Sequence, residues 1–522
     1  MLARLPFDLQ SFYEIRTKRM AYVDKTDLMW ELVHSGKYFF LSRPRRFGKS
    51  ILIDTMRCYF EGRRELFEGL KIMDLETEWT QYPVLRFDMS GMDGTASVFF
   101  SRLSKMIADY EKKYNVVSNV DTRDLGSRFE QVILAANEQT GHEAVVLIDE
   151  YDRPLQQSWG TDEHEQCKNI YRSFLEMLKP LGDSLRFVFL TGITKFTQLS
   201  LFSSINNLSN ISFDGKYAAI CGITTDELHG YFEPYVQRLA DSRGISLDEG
   251  YQLLKDNYDG YHFSEDNMVD IYNPFSLVNS LETGRFGVFW ASSGATTMLP
   301  KFVPELDINI EHYDQDYPID RTMMETSDVG NADPALFLYQ SGYLTIKGST
   351  ERSYLLGYPN TEVREALCKM VLPSMTMQRI NRYRSDQLRM ADALDAGETE
   401  TAFRYLQTLV ADVPYGNQRL SGMGMEERYR LIIATLFRAV GLRTETERMQ
   451  AGGRPDIVTF AKNFIYVIEL KLEGNGGIAA AEQQMRDRRY TAPYLTDGRP
   501  VIALAIALND EGKGLTDYKV VE

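Results

Sequence analysis

The chain has 522 residues, of which 43% are hydrophobic and 25% charged, and a formal net charge of −16 at pH 7. The length predicts roughly two to four domains, and the composition is that of an ordinary globular protein. The acidic balance argues against a protein that coats nucleic acid non-specifically, although it leaves room for a local basic groove.

The cysteines and the amino-terminal residues indicate where in the cell the protein is located. The cysteines Cys58, Cys167, Cys221 and Cys368 show no metal-binding or redox spacing, which predicts reduced, partly buried thiols. The first residues, MLARLPFDLQSFYEIR, lack the apolar core of a signal peptide, and no apolar run approaches the roughly 18 residues of a membrane span. We therefore expect a soluble, cytoplasmic protein that does not bind membranes.

Apolar runs alternate with helical periodicities over residues 1–220. After the lead-in YVDKT, the predicted helices and strands follow in turn: helix 27–34, strand 38–41, a helix from Ile51, strand 83–89, helices 96–114 and 125–139, and strands 143–152 and 185–191. This alternation predicts a parallel, doubly wound α/β sheet. Its ligand is expected at the carboxyl ends of the strands.

Residues 221–420 predict a helical lid and linker region. Helical patterns cover 224–239 and 247–258, and a further helical pair falls within 366–420. The stretch 336–346, followed by 354–356, predicts a helix and a small hairpin, for which a winged helix is one interpretation.

Residues 421–522 predict a second, smaller α/β domain. A helix over 426–440 is followed by strands over 442–448, 456–460 and 464–472, a helix over 478–490 and a strand over 500–508. The order is therefore α-β-β-β-α-β, which differs from the order in the first domain.

The stretch LSRPRRFGKSILIDTMRCY has the strand, loop and helix order of a phosphate-binding P-loop. Its backbone N–H groups and the helix N-terminus would surround ATP phosphates. Lys49 would reach the same phosphates, and Ser50 would hold Mg²⁺. Arg43 stands where the usual pattern opens with Gly. The predicted loop residues are Arg45, Arg46, Phe47, Gly48, Lys49, Ser50 and Ile51.

VVLIDEYD supplies the acidic partner that such a loop needs. Asp149 would bind the Mg²⁺ shell near Ser50, and Glu150 would orient or deprotonate the attacking water. Thr191 and Lys195 stand where a sensor group would contact the terminal phosphate or this water. The alternatives are an acidic turn for the carboxylates and a polar turn for the other pair. Arg45 and Arg46 either contact phosphate or are solvated.

A nuclease-like pattern occupies the C-terminal domain, in GGRPDIVTFAKNFIYVIELKL. Glu469 and Lys471 are two apart on a strand and share one face. If the strand beginning at Asp456 is the neighbour, both carboxylates converge within reach of one Mg²⁺ ion. The metal would polarise a phosphodiester and activate water, and Lys471 would stabilise the developing charge. The alternative is an exposed hairpin of alternating charge.

Further side chains could support this site. Glu426, Glu427 or Glu447 would add a ligand or a hydrogen bond, and Gln483 would orient the lysine or the water. Histidine–metal chemistry is excluded for this half of the chain because no histidine follows His312. Three arginines just past the helix that bears Gln483 either meet a DNA backbone or form a solvated face: Arg486, Arg488 and Arg489.

Several separated motifs together resemble a bacterial two-domain family that joins an AAA-ATPase-like domain to a PD-(D/E)XK nuclease-superfamily domain. They are YVDKT, SRPRRFGKS, VVLIDEYD, LTGITKF, YNPFSL, GYLT and the terminal GRPD…IELK…EQQ…Y. In that family the loop itself has the form SRPRRFGKS. The resemblance implies a nucleotide site at Lys49, Ser50, Asp149 and Glu150, and a nuclease site at Asp456, Glu469, Lys471 and Gln483.

These observations predict an ATP-binding, Mg²⁺-dependent nuclease that acts on nucleic acid, with DNA preferred, under nucleotide control. An arginine donated in trans to the ATP site would require a homo-oligomer. The alternative is a nucleotide-switched module that binds nucleic acid or protein through an inactive nuclease fold. A third interpretation is an ATPase that remodels protein, with a purely structural C-terminal domain.

Overall fold

The fold is described from a computed structural model, in which the chain forms two compact units. The first unit is Met1–Met298 with Asp316–Asn360, and the second is Leu299–Gln315 with Thr361–Glu522. The structure describes residues 2–7, 9–92, 94–117, 120–193, 208–292, 310–326, 333–376, 380–411, 423–447, 449–450 and 453–521.

A five-stranded parallel sheet forms the centre of the first unit, as the alternating pattern predicts. Its strands are β1 Tyr38–Ser42, β2 Val84–Asp88, β3 Ala144–Asp149, β4 Leu185–Gly192 and β5 Ser209–Asn210. The strand order is β2-β3-β4-β1-β5, so β4 separates the P-loop strand β1 from the acidic strand β3. Every residue of β3 is buried, which explains its continuous apolar run.

Helices cover this sheet and contribute much of its core. They are α1 Phe12–Thr17, α2 Thr26–Ser35, α3 Lys49–Phe60, α4 Ala96–Lys113, α5 Leu125–Thr140, α6 Arg153–Ser158 and α7 His164–Leu175. The apolar faces of α4, α5 and α7 pack together with the sheet, through residues such as Phe99, Phe129 and Phe174. This packing holds the carboxyl ends of the strands in fixed positions.

The predicted lid follows as a smaller helical layer with its own core. Strands β6 Ile223–Thr224 and β7 Ile271–Tyr272 pair antiparallel beside α8 Thr225–Arg243, α9 Leu247–Tyr258, α10 Pro274–Thr283 and α11 Phe289–Ser292. Helices α8 and α9 each begin with a capping box, Thr224 with Glu227 and Ser246 with Glu249.

The predicted helix and hairpin are both present and belong to a three-stranded sheet. Strand β8 Tyr317–Asp320 and helices α12 Arg321–Thr326 and α13 Pro334–Ser341 precede β9 Thr345–Ser349 and β10 Ser353–Gly357. The order β8-β10-β9 is antiparallel. The winged-helix interpretation stays a prediction.

The second unit has the predicted α-β-β-β-α-β order with one strand more. Its elements are α14 Thr361–Thr376, α15 Ile380–Ala396, α16 Thr399–Ala411, α17 Met425–Arg438, β11 Arg443–Thr446, β12 Ile457–Phe460, β13 Ile465–Leu472, α18 Gly477–Arg488, β14 Val501–Leu508 and β15 Leu515–Val521. The sheet order is β11-β12-β13-β14-β15, with only β13 and β14 parallel. The sequence did not predict strand β15. Most of its residues are exposed or half-buried, so the strand has no apolar run.

Two chain-wide features complete the description. All four cysteines are buried and free, as their spacing predicts. Within the described ranges, we find no helix whose length and apolar character would allow it to cross a membrane.

Candidate nucleotide and nuclease sites

The P-loop connects the end of β1 to the start of α3. Gly48 precedes the helix with a φ of 91°, in the left-handed region that favours glycine. Arg46 also has a positive φ, of 68°, and its guanidinium lies 4.7 Å from the centre of the Phe275 ring. The loop is thus fixed by one glycine and by an arginine that packs on an aromatic ring.

Arg43, which stands in place of the usual glycine, is a buried anchor of the loop. Its guanidinium donates to the carbonyl oxygens of Ser42, Ser212 and Tyr217 at 2.9, 2.8 and 3.1 Å. It also lies 4.1 Å from the centre of the Phe263 ring. Burial lowers the pKa of Arg43 to about 10. The side chain therefore ties the first turn of the loop to residues far along the chain.

Lys49 is buried at the base of the loop. Its amino group donates to the carbonyl oxygens of Arg43 at 2.8 Å and Pro44 at 3.0 Å. Burial lowers the pKa of Lys49, and the carboxylates of Glu150 and Asp149 partly offset this effect. The loop's own carbonyls thus hold the lysine amino group within the loop.

The strand order brings Thr191 to Asp149. Because β4 lies beside β3, the Thr191 hydroxyl at the end of β4 donates to Asp149 Oδ1 at 2.8 Å, and both residues are buried. The backbone N–H of Glu150 donates to the same oxygen at 3.0 Å. This arrangement orients the Asp149 carboxylate and differs from an ordinary solvated turn.

Glu150 has a positive backbone φ and a carboxyl with a raised pKa. Its φ is 48°, a conformation that costs a non-glycine residue energy and is found more often at functional sites. Burial raises the pKa of Glu150, and the charges of Lys49 and Arg45 partly offset this effect. A half-buried carboxyl that retains its proton more readily is suited to acid–base chemistry.

Asp152 and Gln156 form a hydrogen-bonded support that sequence reasoning missed. Asp152 Oδ2 accepts from Gln156 Nε2 at 2.6 Å and from the Ile193 N–H at 2.9 Å. Arg45 Nη2 donates to Gln156 Oε1 at 3.2 Å, so Arg45 is held beside the acidic strand end. Lys195, the other predicted sensor, lies outside the described residues.

An open pocket of about 350 Å³ lies over these groups. The P-loop residues Arg45, Arg46, Gly48, Lys49, Ser50 and Ile51 line it together with Glu150, Arg153, the segment before α1 and the start of α10. A smaller apolar pocket of about 110 Å³ adjoins it and shares Pro6, Gly48, Ile51, Pro274 and Val278. Phe47 lines the apolar pocket.

The two predicted nuclease carboxylates lie opposite each other in the second unit. Ile457 of β12 pairs with Ile468 of β13, so Asp456 and Glu469 are neighbours across the strands. Asp456 Oδ2 accepts from the Leu470 N–H at 2.7 Å. Burial raises the pKa of Glu469 to about 7, and the Asp456 carboxylate adds to the effect. Burial also raises the pKa of Asp456.

Lys471 projects to the same face as Glu469. Its Nζ lies 3.3 Å from Glu469 Oε1 and 3.8 Å from Glu426 Oε2. Burial disfavours the charged lysine, but the carboxylates of Glu469, Asp456 and Glu426 outweigh it and raise its pKa. Glu426 Oε1 also accepts from the Leu472 N–H at 3.0 Å. Helix α17 thus adds a third carboxylate beside the lysine.

The other supporting residues differ in position. Glu447, with a φ of 46°, pairs with Arg430 at 2.6 Å, and Glu427 is exposed. Gln483 is exposed on α18, where its amide donates to Asp487 at 2.8 Å, so its role at the lysine stays a prediction. Arg486 and Arg488 on the same helix and Arg489 directly after it are all exposed, and Arg486 pairs with Glu482.

The donor set of the second unit fits a hard divalent cation. Glu469 Oε2 is buried and has no hydrogen-bond partner. Glu469 is buried and Asp456 half-buried, so their carboxylates repel each other, and a cation between them would remove that cost. Among the described residues, however, no group of three or more histidine, cysteine, aspartate or glutamate side chains has the geometry of a metal site. Water would have to complete the coordination of a cation held by Asp456 and Glu469.

Comparisons with known proteins agree with this division. Residues 6–202 match a family model described as "Predicted AAA-ATPase", and residues 424–515 match one described as "PD-(D/E)XK nuclease superfamily". The chain is also 29% identical over 537 residues to an "Uncharacterized protein in vnfD 5'region" of Azotobacter chroococcum mcd 1, with 99% of this chain and 98% of that protein covered.

Proposed function

We propose that this protein is an enzyme that binds and hydrolyses ATP and cleaves DNA under nucleotide control. The proposal starts from the two family matches, to an AAA-ATPase-like domain and to a PD-(D/E)XK nuclease-superfamily domain. The observation that carries the nuclease half is the facing pair of Glu469, which is buried, and Asp456, which is half-buried, with Lys471 beside them. The predicted ATP, Mg²⁺ and DNA, and the cytoplasmic location, are parts of this proposal.

ATP fits the first unit because the pocket has a polar part and an apolar part. The phosphates would lie over the P-loop, where Lys49 would exchange its bonds to loop carbonyls for bonds to phosphate oxygens. The adjoining apolar pocket, lined by Val23, Leu52 and Phe232, suits a nucleobase.

Ser50 with Asp149 would hold Mg²⁺ in the first unit, and Asp456 with Glu469 in the second. When bound, the ion would neutralise phosphate charge at the first site, and at the second would polarise a phosphodiester and activate water. Thr191 keeps the Asp149 carboxylate oriented. Glu150 would accept the proton of the water that attacks ATP, for which its raised pKa is suitable.

In the second unit, Lys471 would donate to the phosphate that is being cleaved. Its three neighbouring carboxylates keep it charged. Glu426 would hold the lysine in position, because it contacts both the lysine and the backbone of β13. These residues orient the substrate and stabilise negative charge as it develops.

The test is incubation of the purified protein with Mg²⁺ and plasmid, linear duplex or single-stranded DNA, with and without ATP. Cleavage by the wild type that is lost in Asp456→Ala and Lys471→Ala supports a nuclease. Lys462→Ala, at an exposed lysine of the same domain, is the matched control and should retain cleavage. A cleavage rate that depends on ATP, and loses this dependence in Lys49→Ala, supports nucleotide control.

One observation favours the binding module as a second candidate. The described residues provide the facing carboxylates of Asp456 and Glu469 but no three-residue metal group, and Gln483 is bonded to Asp487. A domain of this kind would bind nucleic acid or protein without cutting. ATP binding and DNA binding without cleavage of any of these substrates would establish that function.

A further inference from the structure

Arg153 lines the nucleotide pocket, and the proposed function gives it no role. Arg153 follows Glu150 by three residues, and its backbone N–H donates to the Glu150 carbonyl at 2.9 Å. Its side chain lines the pocket together with Lys49 and Glu150. Its Nε and Nη1 are buried and have no hydrogen-bond partner. Buried donors of a charged group are costly to leave unpaired.

The charges around Arg153 point to an anionic ligand. Among the described residues that line the pocket, four are cationic, Arg45, Arg46, Lys49 and Arg153, and one is a carboxylate, Glu150. Burial lowers the pKa of Arg45, and the neighbouring Arg153 lowers it further, so these two guanidinium groups repel each other. A polyanion placed between them would remove this repulsion and accept hydrogen bonds from the unpaired donors of Arg153.

The position of Arg153 selects one end of the nucleotide. Arg153, Arg45 and Glu150 line the polar pocket and do not line the apolar pocket that suits the base. The two pockets meet at Gly48 and Ile51. A nucleotide with its base in the apolar pocket therefore extends its terminal phosphate toward Glu150 and Arg153.

We propose that Arg153 donates from its guanidinium to the γ-phosphate of ATP, supplied by the same chain that holds the P-loop. This inference depends on the proposed ATP site. It attributes the preference of that site for a triphosphate over a diphosphate to Arg153. Arginine suits the role because its planar fork matches phosphate oxygens. ADP lacks the group that Arg153 contacts, so Arg153 should contribute to ATP affinity and little to ADP affinity.

The test measures the affinities of wild type, Arg153→Ala and Arg153→Lys for ADP and for the β,γ-imido analogue of ATP, with Mg²⁺, by titration calorimetry. We expect Arg153→Ala to bind the triphosphate about 10-fold or more weakly and ADP within about twofold of wild type. Arg153→Lys should recover part of the loss because it keeps the charge without the fork. Arg123→Ala, at an exposed arginine of the same unit, is the control.

The ratio of the two affinities within each variant separates the outcomes. A fall in triphosphate affinity with ADP affinity retained supports the role of Arg153 and also shows that the variant is folded. An unchanged ratio in both Arg153 variants, with nucleotide still bound by the wild type, overturns the role of Arg153 and leaves the ATP site intact. A wild type that binds neither nucleotide overturns the site itself and this inference with it.

Discussion

Asp259 is a buried carboxyl in the lid of the first unit, and Asp259→Asn should change how the stability of this unit depends on pH. Its two oxygens are buried without a hydrogen bond of good geometry. Burial raises its pKa from 3.8 to about 7, and the Gly260 N–H and Lys255 only partly offset the effect. The folded state therefore holds a proton that the unfolded chain releases at lower pH.

The magnitude follows from the two pKa values. The free energy of unfolding falls as pH rises from about 4 to about 7, by about 4 kcal/mol in all, and is level above that range. Between about pH 5.5 and pH 8 the free energy of unfolding of the wild type falls by about 2 kcal/mol through this group. An asparagine does not titrate, so Asp259→Asn should gain about 2 kcal/mol relative to wild type over this interval.

Urea unfolding followed by tryptophan fluorescence reports on the first unit, which contains Asp259. All four tryptophans belong to this unit: Trp30, Trp79, Trp159 and Trp290. The quantity to compare is the difference between variant and wild type at each pH, which cancels the constant effect of the substitution. Asp256→Asn, at an exposed carboxyl of helix α9, which ends just before Asp259, is the control. A difference that is the same at both pH values would refute the reasoning.

Three further substitutions test the sites. Arg43→Ala removes the guanidinium donor to three backbone carbonyls and should lower the free energy of unfolding of the first unit by about 3–5 kcal/mol, read in the same urea titration; a change below about 1 kcal/mol would be inconsistent with its anchoring role. Thr191→Val removes the donor to Asp149 and should slow phosphate release from ATP about tenfold or more, with ATP affinity within about threefold of wild type. Equal losses in rate and affinity would argue against its orienting role. Lys471→Ala should abolish Mg²⁺-dependent cleavage and leave ATP binding to the first unit unchanged, as measured by gel assay and calorimetry; cleavage that persists would remove Lys471 from the mechanism.

Local patterns in the sequence predicted the longer apolar strands and most of the helices, and they selected the candidate residues of both sites. The continuous apolar run before Asp149 predicts a buried strand, and that strand is β3. The two-residue spacing of Glu469 and Lys471 predicts a shared face, and their side chains are 3.3 Å apart. Such features depend on periodicities and turns within a few residues, which a sequence displays directly.

The supporting residues depend on contacts between distant parts of the chain. Arg43 is anchored by the carbonyl of Ser212, 169 residues away, and Thr191 reaches Asp149 because β4 is inserted beside β3. The sequence by itself determined the P-loop pattern, the acidic strand end and the shared face of Glu469 and Lys471, because a short stretch of residues encodes each of them; that Asp456 lies opposite Glu469 came from the strand pairing. The tertiary structure alone decided the partners of Arg43, Thr191 and Glu426, because strand order and helix packing arise from long-range burial that no short pattern encodes.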